Sequence, residues 1–581
     1  MPSVVAVDTA TQCHLRGPLA ICVLVMADVP RSPRLSGAPL RNLARLARTR
    51  VGGVALQRVL RADLGIDRLA VLPDGLRGDV PLDNNAHPGR PPRAVPSEGL
   101  PLPTGQSWAP TSATLTAAYR TGKVSPREVV RRALAEAQRL ANLEPTVGPL
   151  CELAEEAALA EAEASEKRWR EGRPAGYFDG VPWAVKEQTA VQGLARRSGT
   201  AFIDPSPCSV DATSVARVRA AGAVTLGTTP MTEFGMTPNG ANSKRAMPRN
   251  PHAVAHIAGG SSTGSGVAVA TGLVPFSLGC DGGGSIRIPA SINGVFGVKP
   301  TWGRISRSGD SSGGTVAHLG PLASSTVDLA HALEVLSGVD PNDPQTFGAP
   351  RRETGSFVTA LSRGVRGMVI GVPDSEWEVA SEPVQRAGRA ALAALEQEGA
   401  VLVPIRLELA KYAAAIGYVV IAGEARAQLR TEWRDNADEM GDDLQVTFAA
   451  LDAFNALEYL DVCRLRSGLR RELARAFGTI DLLALPSAGA AATKVSDTDM
   501  RTGFLDTKVI DALCRFMFLG NLSGLPALSA PVGCDALGLP VGLQLVGDAW
   551  DEATIFAAAG HLERIGVAVP RRPRITASLL G

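Results

Sequence analysis

The stretch Ala258–Ser308, AGGSSTGSGVAVATGLVPFSLGCDGGGSIRIPASINGVFGVKPTWGRISRS, holds far more glycine and serine than a packed core requires. Two loops stand out in it. Gly259–Gly266 runs into the apolar, Ala-rich segment Val267–Thr271, which predicts a helix whose free backbone N–H groups and flanking hydroxyls face whatever lies at its start. Asp281-Gly-Gly-Gly-Ser285 follows the strand-like PFSLG, so unobstructed N–H groups converge just before a serine hydroxyl, the way an oxyanion hole is built. Strand, glycine-rich turn and helix in such close succession predict an α/β fold. Turns and caps alone would explain either loop singly; Ser261 and Ser285, 24 residues apart in two such loops, point to a site. A phosphate cradle is the competing reading, but no GxxxxGK[ST] is present and no lysine closes either loop.

The pattern extends outward. VPWAVKE (181–187), AVTLGTT (223–229) and GMVIGVP (367–373) are strand-like and alternate with helical runs. Thr111–Ala141 carries Ser125-Pro126 as a helix start with Glu128 in the first turn, and an Ala- and Glu-rich helix is expected over about Leu153–Trp169. Residues 1–107 differ in texture, with no lysine, repeated arginine and prolines crowding over 86–107, which reads as a linker. Within them Leu40–Leu64 predicts two short helices broken at Gly52-Gly53, and the apolar run Ala20–Met26 reads as a buried strand rather than a signal or membrane segment. The chain thus divides into an N-terminal extension, 1–107, and a main domain, 108–581.

Composition narrows the function. With 45% hydrophobic and 20% charged residues the 581-residue chain is globular, and its formal charge of +1 offers no footprint for nucleic acid or an anionic membrane. Eight cysteines without a C-x-x-C pair and seven histidines without H-E-x-x-H spacing predict reduced thiols, a cytoplasmic setting and no metal site. A nucleophilic Ser285 needs a base, and no histidine is suitably placed. The candidate is Lys186, one of eight lysines, at the end of the apolar run Val181–Val185. Burial without a counter-charge lowers an ammonium's pKa and lets it accept a proton, although a lone strand-end lysine is otherwise a snorkelling surface residue.

Taken together, these motifs resemble the amidase signature family of serine hydrolases. The resemblance covers about residues 108–570: KVSPREVV (123–130), DGVPWAVKE (179–187), MTEFGM (231–236), the Gly259-Gly-Ser-Ser262 block, DGGGSIRIPAS (281–291), GVKPTWGRIS (297–306), NLSGLPALSAPVG (521–533) and GLPVGLQLVGDAWDEATI (538–555). It implies one large α/β/α domain, a mixed central sheet covered by helices on both faces, and a Ser-cisSer-Lys triad of Ser285, Ser261 and Lys186. It further implies that Lys186 takes a proton through Ser261 while Ser285 attacks an amide carbonyl, with the oxyanion on the N–H groups of Gly282, Gly283, Gly284 and Ser285. Ser262 is expected to bond the lysine or cap the helix, and Asp281 and Arg287 to hold the loop. No cofactor is implied; the substrate is a small-molecule amide, esters are expected as side substrates, and a homodimer is the assembly considered.

Several positions depart from the family pattern. Glu187 follows the lysine where Asp is usual, Cys280 and Gly282 flank the loop aspartate, Thr228 and Pro230 replace Lys and Asn, and Ala317-His318 replaces Asp-Gln. Pocket walls are expected from Met231–Asn239, Trp302–Gly314 and parts of 415–465. Two alternatives remain: the glutaminase subunit of an aminoacyl-tRNA amidotransferase, disfavoured by Tyr418–Phe477, which is more similar to stand-alone amidases, and a catalytically silent binding protein.

Overall fold

Strand-forming runs alternate with amphipathic helices along the chain, and in a computed structural model they assemble around one mixed sheet. Residues 34–79, 97–104, 107–350, 355–452 and 454–580 are described. The expected strand at 20–26 and most of the proline-rich stretch lie outside them. In chain order the strands are β1 (Leu35–Ser36), β2 (Glu152–Leu153), β3 (Pro182–Lys186), β4 (Val224–Thr229), β5 (Phe276–Asp281), β6 (Phe296–Lys299) and β7 (His318–Ala323). They continue as β8 (Val369–Val372), β9 (Val401–Pro404), β10 (Leu482–Pro486), β11 (Phe504–Leu505), β12 (Ala527–Cys534) and β13 (Pro540–Gly547).

Eleven of them form the central sheet in the order β2-β4-β3-β5-β7-β6-β12-β13-β10-β8-β9. The pairs β3–β4, β3–β5, β8–β9 and β8–β10 are parallel and the others antiparallel. Both faces are covered, and the side-chain alternation of a strand shows it. In β10, Leu482 and Ala484 enter one hydrophobic cluster while Leu483 and Leu485 enter another on the opposite side. Central strands buried on both faces read as continuous apolar runs, which is why the runs around β3 and β4 were legible as strands.

The helix Pro126–Ala141 starts as its residues dictate: Ser125 accepts the Glu128 N–H at 3.2 Å and Pro126 occupies the first turn. The Ala- and Glu-rich helix spans Glu155–Arg170. The helix after Gly259-Gly260 begins earlier than the apolar residues suggest, spanning Thr263–Ala270. At the N-terminus two helices form, but the predicted break at Gly52-Gly53 is corrected. α1 (Gly37–Ala47) ends at Arg48, and Thr49 caps α2 (Arg50–Asp63) through the Gly52 N–H. The glycines instead let the two helices meet: a Cβ on Gly52 would sit 2.1 Å from the Leu46 carbonyl oxygen.

This N-terminal segment packs against later parts of the chain. β1 pairs with β11 through Leu35↔Leu505 and Ser36↔Phe504. Leu40, Ala44, Ala47 and Leu56 form a small core with Val446 and Ala449. Among the described residues no helix is long and apolar enough to cross a membrane.

Candidate active site

Parallel pairing of β3 with β5 sets the two strands' C-terminal ends side by side, the edge at which open α/β sheets build sites. Lys186 ends β3 and Asp281 ends β5, so the lysine and the glycine loop become neighbours. Lys186 is 1% exposed; its Nζ donates to Ser261 Oγ at 2.7 Å and to the Cys280 carbonyl at 3.3 Å. Burial lowers the Lys186 pKa from its ordinary value, opposed only in part by Cys280, Asp310, Asp281 and Glu187. Burial also pushes the Cys280 thiol up to about 11.

The Gly260–Ser261 peptide is cis. Gly235, at φ +73°, brings its loop so close that a Cβ there would lie 3.2 Å from Ser261 Oγ. Ser262 does neither of the two things expected of it: it makes no side-chain cap to the helix, and its hydroxyl instead donates to the Cys280 carbonyl and accepts the Cys280 N–H, both at 3.2 Å. The serine thereby stitches the loop to β5.

Asp281 and Arg287 are both fully buried and paired at 2.9 Å. Burial alone would raise Asp281, but the Arg287 charge and hydrogen bonds from Arg287 and Asn521 outweigh it and hold the carboxylate well below its usual range. Arg287 also donates to the Met517 carbonyl at 3.0 Å, to Gln544 Oε1 at 2.5 Å and to Asn521 Oδ1 at 2.6 Å. These contacts fix the Asp281–Arg287 loop from three sides, and neither residue lines the cavities that reach Ser285.

One oxyanion donor expected from the sequence is corrected. The Gly284 N–H points inward and donates to Asp281 Oδ1 at 2.7 Å. No acceptor among the described residues takes the N–H groups of Gly282, Gly283 or Ser285. Glycine is required here for space: a Cβ on Gly283 would lie 2.5 Å from Phe518 Cζ, and Gly284 adopts φ +114°.

Lys186, Ser261, Gly282 and the partly exposed Ser285 line one wide, polar cavity of about 530 Å³. A second, apolar cavity of about 140 Å³ meets it at Ser285, Gly235, Met236 and Ile421. Of the expected walls, Met231, Phe234–Asn239, Asp310–Gly313 and residues of 418–454 line these cavities. Trp302 and His318 do not; they line a separate small cavity, with their rings edge-to-face at 5.1 Å. For the apolar cavity, sequence reading missed two contributors, the stretch Phe504–Phe518 and residues Gln57–Ile66 of the N-terminal segment. Both are ordinary amphipathic stretches with no chemical signature. Among the described residues no His, Cys, Asp and Glu cluster could hold a metal, and His252 is bonded to the Asn293 carbonyl at 3.1 Å.

Comparison with known proteins agrees with the fold and the motifs. The amidase family profile matches residues 128–556. A glutamyl-tRNA(Gln) amidotransferase subunit from Chloroflexus aurantiacus is 33% identical over 489 residues, covering 79% of this chain and 97% of that protein. The fatty acid amide hydrolase of Oryza sativa subsp. indica is 30% identical over 462 residues, covering 78% of this chain and 76% of that protein. The solved structure of native peptide amidase from Stenotrophomonas maltophilia superposes with a TM-score of 0.68 at 27% identity, over 82% of this chain and 100% of that one. The chain belongs to the amidase signature family, hydrolases of amide C–N bonds.

Proposed function

We propose that the protein cleaves a small carboxylic amide to an acid plus ammonia or an amine, through an acyl-enzyme on Ser285. The observation that carries this reading is the 2.7 Å hydrogen bond from a buried, pKa-lowered Lys186 to Ser261 in the cavity that holds Ser285. Neutral Lys186 draws the proton of Ser285 through the Ser261 hydroxyl as Ser285 Oγ attacks the carbonyl carbon. The tetrahedral oxyanion rests on N–H groups of Gly282, Gly283 and Ser285, each such donor lowering the barrier by about 3 kcal/mol. Lys186 returns the proton through Ser261 to the leaving nitrogen. Water then attacks the acyl-enzyme by the same relay. Asp281, Arg287 and Ser262 position the loop, and esters are cleaved as side substrates.

The second reading, a glutaminase subunit, is favoured by the Chloroflexus relative. Glutamine would have to place an ammonium and a carboxylate beyond its amide, and the cavity opposite Lys186 is walled by Ile421, Phe504 and Phe518. Ammonia release from simple amides by the isolated chain, with glutamine a poor substrate, supports the hydrolase; activity with glutamine alone supports the amidotransferase reading. Labelling with a fluorophosphonate tests the nucleophile: one adduct on wild type, none on Ser285→Ala, and slower labelling of Ser261→Ala and Lys186→Ala. An adduct that survives Ser285→Ala would sink the assignment. A cytoplasmic homodimer belongs to the same proposal, and light scattering reads its mass.

A further inference from the structure

Ser285 sits where two cavities of opposite character meet, and proton chemistry decides which end of an amide each one takes. The leaving nitrogen must receive its proton from the Lys186–Ser261 pair, so it lies in the polar cavity that those residues line together with Gln188 and Asp310. The acyl carbon is shared with Ser285, so the rest of the acyl group points the other way, past Gly283. That orientation rests on the function proposed above.

The far side of the apolar cavity is built by the N-terminal segment. Leu60, Leu64 and Ile66 close it opposite Ile421, Phe504 and Phe518. Several of its polar members are already engaged: Gln57 Nε2 donates to the Ala449 carbonyl at 3.4 Å, Asn239 Nδ2 to the Phe504 carbonyl at 3.1 Å, and Thr447 Oγ1 to the Asp443 carbonyl at 2.9 Å, while Thr507 Oγ1 is buried without a hydrogen-bond partner. Arg61 is neutralised between Asp67 and Glu458, each at 2.8 Å. A charged acyl group would shed its hydration there without finding an uncompensated opposite charge. An apolar space of about 140 Å³ accepts a benzene-sized group.

A second apolar cleft, of about 320 Å³, continues beneath α2 and shares Leu60, Leu505 and Thr507 with the first. Leu60 stands between the two. None of these N-terminal residues falls within the segment 128–556 that matches the family profile.

We propose that α2 and the residues following it form the outer wall of the acyl pocket and select apolar acyl groups, with Leu60 setting their length. Compact aryl or short aliphatic groups fill the first chamber; longer chains pass Leu60 into the second. Residues 34–79 are thereby a specificity-determining part of the enzyme rather than an appendage.

The experiment measures kcat/KM by ammonia release for straight-chain primary amides from acetamide to dodecanamide, with phenylacetamide and glutamine, on the full chain and on Leu60→Trp and Leu60→Ala. Wild-type kcat/KM is expected to rise about fourfold per added methylene until the first chamber is full. Leu60→Trp is expected to cut the ratio of long-chain amide to acetamide at least tenfold, and Leu60→Ala to raise it for the longest chains. Val51→Asp, on the exposed face of α2 at 82% exposure, keeps the wild-type ratio. Unchanged ratios in both Leu60 variants, or a preference for glutamine over hexanamide, overturn the proposal. Calorimetric binding of hexanamide and phenylacetamide to Ser285→Ala reads the pocket without turnover: adding Leu60→Trp must weaken it at least tenfold, and equal binding overturns the inference. Absence of turnover with intact, Leu60-dependent binding would instead defeat only the hydrolase reading.

Discussion

Replacing Asp281 by Asn removes one oxygen from the best-satisfied carboxylate in the site loop. Oδ1 accepts from Gly284 N at 2.7 Å, Arg287 Nη2 at 2.9 Å and Asn521 Nδ2 at 2.9 Å. Oδ2 accepts from Arg287 Nε at 3.0 Å, Ile286 N at 3.1 Å and Arg287 N at 3.4 Å. Whichever way an asparagine amide turns, its NH₂ faces three donors, and Arg287 loses its counter-charge. Both side chains are fully buried, so no water compensates, and a buried guanidinium left unpaired costs about 3–5 kcal/mol. The expected result is a lower urea midpoint at unchanged slope, together with at least tenfold slower fluorophosphonate labelling, because Gly284 and Ile286 flank Ser285.

Acid should act in the same direction on wild type. The folded Asp281 pKa lies below its ordinary value of 3.8, so its contribution is full above that value and is lost as pH falls through the folded value. Asp281→Asn lacks that acid limb. A variant with the wild-type midpoint and the wild-type labelling rate would refute the argument that this buried pair holds the loop.

The remaining predictions are shorter. Lys186→Ala should lower kcat/KM by about 10²–10⁴, and wild-type kcat/KM should fall on the acid side through a group lowered from the ordinary lysine value of 10.5; a limb at that ordinary value would contradict a buried neutral base. Gly283→Ala forces a methyl to within 2.5 Å of Phe518, so stability should drop by about 1–3 kcal/mol and labelling of Ser285 should slow, with Phe518→Ala partly restoring the rate. Glu233, raised by burial from 4.5 to about 8, weakens wild-type stability as pH climbs through that window. Glu233→Gln retains the 2.8 Å acceptor for the Gly441 N–H, and its thermal midpoint should lose less between pH 5 and pH 9 than wild type loses.

Much of the candidate site was legible because the proposed chemistry demands uncommon residues in order. A lysine ending an apolar strand, a Gly-Gly-Ser-Ser loop and a Gly-Gly-Gly-Ser loop each violate ordinary core composition, and such violations mark sites. Ser262 and Gly284 were read less well because the partner of a hydroxyl or an N–H is a matter of direction. Ser262 turns to Cys280, and Gly284 turns to Asp281, which no spacing along the chain reveals. The helix break near Gly52 failed for a related reason. Glycine signals either a turn or a close approach, and here the close approach to Leu46 won.

Local order along the chain, therefore, determined the alternation of strands and helices, the burial of the central strands and the residues fit to make a nucleophile, a relay and a base. Those properties depend on side-chain type and on periods of two or a few residues. Only the tertiary structure decided what surrounds Ser285, because a pocket wall is made by residues hundreds of positions apart whose apolar side chains carry no individual mark. Leu60 and Phe518 meet across one cavity because β1 pairs with β11 and α1 packs on the segment around Val446.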